Sequence, residues 1–379
     1  MGSNGKVPVW LDCDPGHDDA FAILLAAYHP SMELLGISTV HGNASLANTT
    51  WNASSILTAI GKPDIPVYSG AAKGLIRPAV HADAIHGESG LDGTRLLPTP
   101  LTPFKTEPCI PAIAAALFKT PPVTAWVVAT GALTNIALLF QAHPELASHI
   151  KGLSIMGGAL GSSFTTAPMG IVNDTSRIGN YTPYAEFNIL VDPEAASFLL
   201  SHPILSLKTT LIPLDVTHLV LATKDVQEML HYGKTNLNSE ETGSGKGSGK
   251  RKCSVLRTML LELLLFFAKT YAEVFGITAG PPLHDPLAVA ALLDSIPGFN
   301  PLFQDYLQPG HRERYAVKVI TEGTHAEALA GEAQTGRTVA TLLDEGEDGI
   351  RTPRGLDVRR FWDMIEDCLV RADEVNAKK

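Results

Sequence analysis

Along the first half of the chain, short apolar runs ending in glycine or polar residues alternate with stretches whose apolar residues return every three or four positions. Residues 7–11 form a brief run of strand-forming type, Pro15-Gly16 marks a turn, and Phe21, Leu24, Leu25 and Tyr28 then recur at helical spacing. The alternation continues. MELLGISTVHG, IPVYSG, TAWVVATG, GLSIMGGA and LKTTLIPLD each contain a predicted strand, while SLANTTWNASSILTAIG, LTNIALLFQAHP and DPEAASFLLSHP read as helices. Strand and helix in turn predict an α/β fold with a mostly parallel central sheet and helices on both faces. After residue 314 a further strand (YAVKVIT), a hairpin-like stretch and a last helix (FWDMIEDCLVRADEV) complete the pattern, and no linker divides it, so residues 1–379 are expected to form a single large domain.

Polar residues collect where such sheets bind ligands, beyond the carboxyl ends of the strands: Asp14, His41-Gly42-Asn43 and Thr130-Gly131 all follow predicted strands. The first of these junctions is unusually acidic. In LDCDPGHDDAFAI, Asp12 and Asp14 lie two apart and face one way from the strand end, with Cys13 facing the other, and Asp18 and Asp19 fall in the first helical turn. A helix dipole favours an anion there by only about 0.3 to 1 kcal/mol. That is too little to keep several neighbouring carboxylates charged in a cleft, because they repel one another and resist desolvation. A cation resolves the conflict. With oxygen donors and no histidine or cysteine at ligand spacing, the expected ion is hard, Ca²⁺ or Mg²⁺ rather than Zn²⁺.

Composition narrows the partners. The chain is 18% charged and 45% hydrophobic with a formal net charge of -10, so a large core is available and the surface does not suit nucleic acid. Its four cysteines, Cys13, Cys109, Cys253 and Cys368, are scattered without metal or redox spacing. With no signal peptide before Val7, the expectation is a cytoplasmic protein, the nucleus remaining open, and the sequons at Asn43, Asn48, Asn52, Asn173 and Asn180 carry no weight. MLLELLLFFA, the most apolar stretch, is too short for a bilayer and contains Glu262, so it reads as a buried helix and no membrane is expected. Residues 238–252, NSEETGSGKGSGKRK, are Gly/Ser/Lys-rich and predict a flexible loop; their G-S-G-K repeats follow no strand and lack a phosphate-loop pattern.

Further polar clusters occur downstream: IHGESGLDG with His86, GNYTPYAEFNILVDPEAA, where Glu186 and Asn188 flank Phe187 and point to one side if the segment is extended, and GPPLHDPLAVAALL with His284-Asp285 at a helix start. Taken in order, DCDPGHDDAFAI, VHGN, IHGESGLDG, ATGALTNIA, MGGA, AEFNILVDPEAA and HDPLAV resemble the signature of the inosine/uridine-preferring nucleoside hydrolases. The resemblance runs from about Val7 to the C-terminal helix and implies the fold of that family, with its Rossmann-like core.

It also implies a site. The residues matching the family's Ca²⁺ ligands are Asp14, Asp19 and Asp285, with the backbone carbonyl of Thr130. Those matching its ribose pocket are Asp18, Asn43, Met156, Asn180, Glu186, Phe187 and Asn188, and Asp12 matches a supporting carboxylate. His86 and His284 match histidines at the base end, and His17 is read as structural. The implied reaction is hydrolysis of a ribonucleoside to ribose and free base. Asp14 takes a proton from calcium-bound water, Asn43 lies near the scissile bond, and His284, expected to titrate near neutrality, assists the departing base. Calcium suits this better than magnesium because its larger shell accepts two sugar hydroxyls together with water. Purine-specialised relatives carry Trp in place of His284, which favours the inosine/uridine type; a purine-specialised nucleosidase and an inactive calcium-dependent nucleoside-binding protein are the alternatives. The resemblance further implies a homodimer or homotetramer. The insertion LGSSFTTAPMGIVNDTSRI, residues 160–178, departs from the shorter family forms.

Overall fold

The computed structural model describes residues 5–161, 163–172, 175–234, 253–308 and 311–378. The loop expected at 238–252 and the sequon at Asn173 lie outside the described residues. Six parallel strands form the central sheet: β1 (Val7–Cys13), β2 (Met32–Thr39), β3 (Val67–Ser69), β4 (Trp126–Ala129), β5 (Gly152–Met156) and β6 (Thr209–Ile212), in the order β3-β2-β1-β4-β5-β6. Each is short and largely apolar because helices cover both faces of the sheet. The chain winds outward from β1 through β2 to β3, then returns to lay β4 against the other side of β1. The topological switch therefore falls between β1 and β4, where a crevice opens at the strand ends. Asp14 follows β1 and Thr130 follows β4, so the fold itself brings the acidic junction to that crevice.

Helix α1 (Asp19–Tyr28) has every residue buried except Ala27. It sits in one core layer with Leu287, Phe361, Ile365 and Leu369, while a second layer on the opposite side gathers Ile113, Leu117, Phe140 and Leu199. Helices α2 (Leu46–Ala59), α3 (Asp83–His86), α4 (Cys109–Phe118) and α5 (Thr134–Ala142) belong to the first half of the chain. Farther along come α6 (Phe187–Val191), α7 (Pro193–Leu200), the long α8 (Val255–Phe275), α9 (Asp285–Ala291) and the C-terminal α10 (Val358–Asn376). The apolar stretch inside α8 is a packed helix, as its sequence predicts. Among the described residues no helix is long and apolar enough to cross a membrane.

The strand predicted after residue 314 pairs antiparallel with residues 338–342, Tyr315 opposite Leu342 and Val319 opposite Thr338. One local expectation is overturned. The chain does not stay extended beyond Glu186: this residue, itself extended, is the N-cap of α6, its carboxylate accepting the backbone N–H groups of Asn188 and Ile189, and the following residues are helical. A buried ion-pair cluster fixes α8 to α10. The Arg257 guanidinium meets Glu366 at 2.8 Å and Asp373 at 2.6 Å and also donates to the Leu230 carbonyl at 2.6 Å.

Candidate active site

The crevice is built from the acidic junction upward. Asp12, the last inward residue of β1, is fully buried, and its Oδ1 accepts from Ser38 Oγ at 2.5 Å and Asn135 Nδ2 at 2.8 Å. Those two bonds anchor it within the sheet, while its Oδ2 is buried and has no partner among the described residues. Asp14 stands one step beyond the strand. Its Oδ2 accepts from the Asn43 backbone N–H at 2.8 Å, whereas Oδ1 is buried and has no partner among the described residues. Two glycines make room for it: a Cβ on Gly42 would lie 2.0 Å from Oδ2, and one on Gly131 would lie 2.6 Å from Oδ1.

Asp19, the first residue of α1, accepts from Gly16 N at 2.8 Å, Thr130 Oγ1 at 2.9 Å and Asn43 Nδ2 at 3.4 Å. Asp18 precedes it at the N-cap, and Asp285 opens α9 from the far end of the sequence. Carboxylate oxygens of Asp18, Asp19 and Asp285 lie within 4.8 Å of one another, and all three side chains are buried. Sequence reading assigned metal binding to Asp14, Asp19 and Asp285 and the sugar to Asp18; the tightest oxygen triplet contains Asp18 in place of Asp14.

Burial is the main electrostatic fact. It pushes the carboxyl of Asp18 up to about 6 and those of Asp12 and Asp19 up to about 7, the charge of Asp18 adding to the effect on Asp19. Asp14 and Asp285 are driven well above the usual carboxylate range, by burial first and then by neighbouring carboxylates. Among the described residues no Lys or Arg lines the cleft. Clustered oxygen donors, two orphaned buried carboxylate oxygens (Asp12 Oδ2 and Asp14 Oδ1) and the lack of a Lys or Arg counter-charge in the cleft fit a hard divalent cation. The Thr130 carbonyl accepts from Asn188 Nδ2 at 2.8 Å, which leaves its second lone pair for such an ion.

Above the carboxylates a narrow cleft opens between the strand ends and α8. Asn43, Thr130, Met156, Asn180, Glu186, Phe187 and Asn188 all line it, together with His86, His284, Asp18 and Asp285. Glu186 is held by Gly158 N at 2.9 Å besides its capping bonds, and burial raises its carboxyl to about 7. Asn180 Oδ1 accepts from Phe187 N at 3.0 Å, and the Phe187 ring packs on Tyr181 with centroids 4.8 Å apart. At the other end His86 Nδ1 meets His17 Nδ1 at 3.0 Å, the two rings stacked with Phe267. His17 also reaches the Asp92 carbonyl at 2.8 Å, in keeping with a packing role.

His284 departs from the sequence expectation. Both of its ring nitrogens are engaged, Nδ1 with Thr217 Oγ1 at 2.7 Å and Nε2 with the Tyr271 hydroxyl at 2.7 Å. Burial then drives its pKa well below the ordinary histidine value, so it is a neutral hydrogen-bonding ring and not a group titrating near neutrality.

The constellation has counterparts. Residues 9–363 match the model of the inosine-uridine preferring nucleoside hydrolases. The chain belongs to that family. Over 378 residues it is 38% identical to a uridine nucleosidase of Saccharomyces cerevisiae, 98% of each protein being covered. It is 40% identical to a pyrimidine-specific ribonucleoside hydrolase of Citrobacter koseri over 76% of this chain and 79% of the relative. Among solved structures, a purine-preferring ribonucleoside hydrolase from Gardnerella vaginalis superposes with a TM-score of 0.74 at 26% identity, covering 97% of this chain and 99% of its own. As a nucleoside hydrolase the protein is an N-glycosidase, and its parallel sheet is the fold of that family.

Three contributors to this nucleoside hydrolase cleft escape sequence reading. Phe267 and Tyr271 come from α8, which reads only as a buried apolar helix, and Thr217 reaches His284 from the short helical segment Leu214–Thr217 after β6. The four-residue spacing of Phe267 and Tyr271 puts both on one face of α8, a signal for shared packing that says nothing of where the face points.

Proposed function

We propose that this nucleoside hydrolase cleaves the N-glycosidic bond of ribonucleosides, uridine and inosine among them, to ribose and free base with Ca²⁺ as its cofactor. The observation that carries the reading is the buried, unpartnered Oδ1 of Asp14 beside the oxygens of Asp18, Asp19 and Asp285. Asp14, Asp19, Asp285 and the Thr130 carbonyl would hold the ion, with Asp18 within reach of the same cluster. When bound, the ion supplies Lewis acidity toward the ribose diol and the attacking water.

The chain's own groups supply the rest. Asp14 has one oxygen pinned by the Asn43 N–H, so its free Oδ1 accepts the proton of the water as the glycosidic bond breaks. Positive charge grows on the ribose in that step, and the surrounding carboxylates favour it. Asn43, Asn180, Glu186 and Asn188 orient the sugar, with Met156 and Phe187 against its apolar side. His86 and His284 stand at the base end, where neutral rings offer hydrogen bonds to the departing base. The names of the yeast and Citrobacter relatives support pyrimidine nucleosides as substrates. Cys13, Cys109, Cys253 and Cys368 are all unpaired, which supports a reducing compartment such as the cytoplasm.

The test is direct. Dialysis against EDTA should abolish release of reducing sugar from uridine, and Ca²⁺ should restore it; Asp14→Asn should lower kcat by at least roughly a thousandfold, as loss of a general base does. Full activity after metal removal, or an undiminished kcat in the Asp14 variant, sinks the mechanism.

A further inference from the structure

Thr217 is fully buried and does not line the cleft, yet its hydroxyl lies 2.7 Å from His284 Nδ1. Among the described residues its only other acceptor in reach is the Leu214 carbonyl at 3.4 Å, which already receives the His218 backbone N–H at 2.9 Å. The 2.7 Å separation from Nδ1 against 3.4 Å from the carbonyl favours Thr217 as the donor to Nδ1. A neutral imidazole that accepts at one nitrogen carries its proton on the other. His284 Nε2–H then donates to the Tyr271 oxygen 2.7 Å away.

Among the described residues the phenol forms no hydrogen bond other than the one to His284. When His284 donates to the phenol oxygen, the phenol's own hydrogen is left without a protein acceptor among the described residues. Tyr271 lines the cleft at its base end beside His284 and Phe267.

We propose that Thr217 is a positioning residue that fixes His284 as its Nε2–H tautomer, and that the resulting chain from Thr217 through His284 to Tyr271 aims the phenol hydrogen of Tyr271 into the cleft as a donor to the base. The donor recognises a hydrogen-bond acceptor on the leaving heterocycle, a carbonyl oxygen or an unprotonated ring nitrogen. No proton has to travel along the chain: the three groups keep their hydrogens and only their directions are set. The segment that carries Thr217 is itself held in place from the other side. Asp215 accepts from the backbone N–H groups of Leu160 and Gly161 at 2.8 and 2.9 Å, and His218 Nδ1 meets the Pro168 carbonyl at 2.6 Å. The inserted stretch that begins at Leu160 therefore braces the residue that orients His284.

This inference rests on the base-end role of His284 in the proposed reaction, and its test separates the two. Long-range proton–nitrogen NMR on the full-length protein labelled with ¹⁵N-histidine reads the tautomer without any turnover, His284→Gln identifying the signals. The expected result is a protonated Nε2 and a bare Nδ1 for His284, with a mixture of tautomers in Thr217→Val and the wild-type pattern restored in Thr217→Ser. In kinetics, Thr217→Val should lower kcat on uridine about tenfold, the factor one directed hydrogen bond is worth, with KM little changed. Hydrolysis of p-nitrophenyl riboside, whose leaving group needs little help, should be unaffected. A proton found on Nδ1 in the wild type, or a Thr217→Val spectrum identical to it, overturns the assignment. The expected spectra with equal losses on both substrates uphold the tautomer and count instead against the base-end role of His284.

Discussion

Metal-free protein should lose stability as the pH rises, and Ca²⁺ should reverse that loss. Burial sets the carboxyl of Asp19 at about 7 and that of Asp18 at about 6, against 3.8 for a free aspartate. Between these values the folded metal-free protein keeps protons that the unfolded chain has released. Linkage then requires stability to fall as pH climbs from about 4 through about 7, the reverse of a salt-bridged carboxylate. A tenfold change in proton affinity on folding is worth about 1.4 kcal/mol, so Asp19 alone carries a penalty on the order of 4 kcal/mol once it is ionised without a counter-charge. For a chain of this size a loss of that order lowers Tm by several degrees. A divalent ion takes the place of the protons and removes the penalty, and its apparent affinity must rise with pH because ligand carboxylates have to be deprotonated. Thermal unfolding followed by circular dichroism in EDTA and in Ca²⁺, at about pH 5 and about pH 8, measures both effects. The expected pattern is a lower Tm at the higher pH in EDTA, a calcium-induced rise that is larger at the higher pH, and a flattened EDTA slope in Asp19→Asn. A Tm in EDTA that climbs with pH, or a calcium increment equal at both, would falsify the account of the cluster as a desolvated cation site.

Other outcomes follow from the same geometry. Gly131→Ala puts a methyl group 2.6 Å from Asp14 Oδ1, so kcat should fall at least about tenfold by displacing that carboxylate; a variant with wild-type kcat would show that the carboxylate's position is not critical. His284→Ala should harm inosine hydrolysis more than hydrolysis of p-nitrophenyl riboside, and parallel losses on the two substrates would remove His284 from leaving-group assistance. Asn135→Ala strips Asp12 of its 2.8 Å amide bond within the sheet and should cost about 1 to 3 kcal/mol in denaturant unfolding, whereas an unchanged midpoint would mean Asp12 needs no such anchor.

The sequence made the β1–turn–α1 unit legible because three independent signals coincide there: a strand-forming run, Pro15-Gly16, and apolar residues at helical spacing. Asp14, Asp18 and Asp19 could be placed at a strand end for the same reason, and the parallel order of the sheet then carries Thr130 to them. Reading failed where long-range partners decide. Glu186 and Asn188 share a side only if residues 186–188 are extended; the Glu186 carboxylate, by capping two backbone N–H groups, makes residues 187–191 helical instead. The expectation that His284 titrates near neutrality rests on the ordinary pKa of an imidazole. Its actual partners, Thr217 and Tyr271, arrive from other elements, and nothing in the local sequence announces them. Whether Asp14 or Asp18 completes the tightest carboxylate triplet depends on side-chain directions around a turn, which spacing alone does not specify.

The clamp formed by Arg257, Glu366 and Asp373 gives the tail of the polypeptide a remote hold on the catalytic centre. Tyr271 and Phe267 ride on a rod whose opening turn is bolted to the final helix, so shortening the protein by that helix would unseat two aromatic rings that line the cleft. It would also strand a guanidinium in a dry interior. Chains clipped ahead of Glu366 should therefore misfold or lose turnover, although every acidic ligand would still be present.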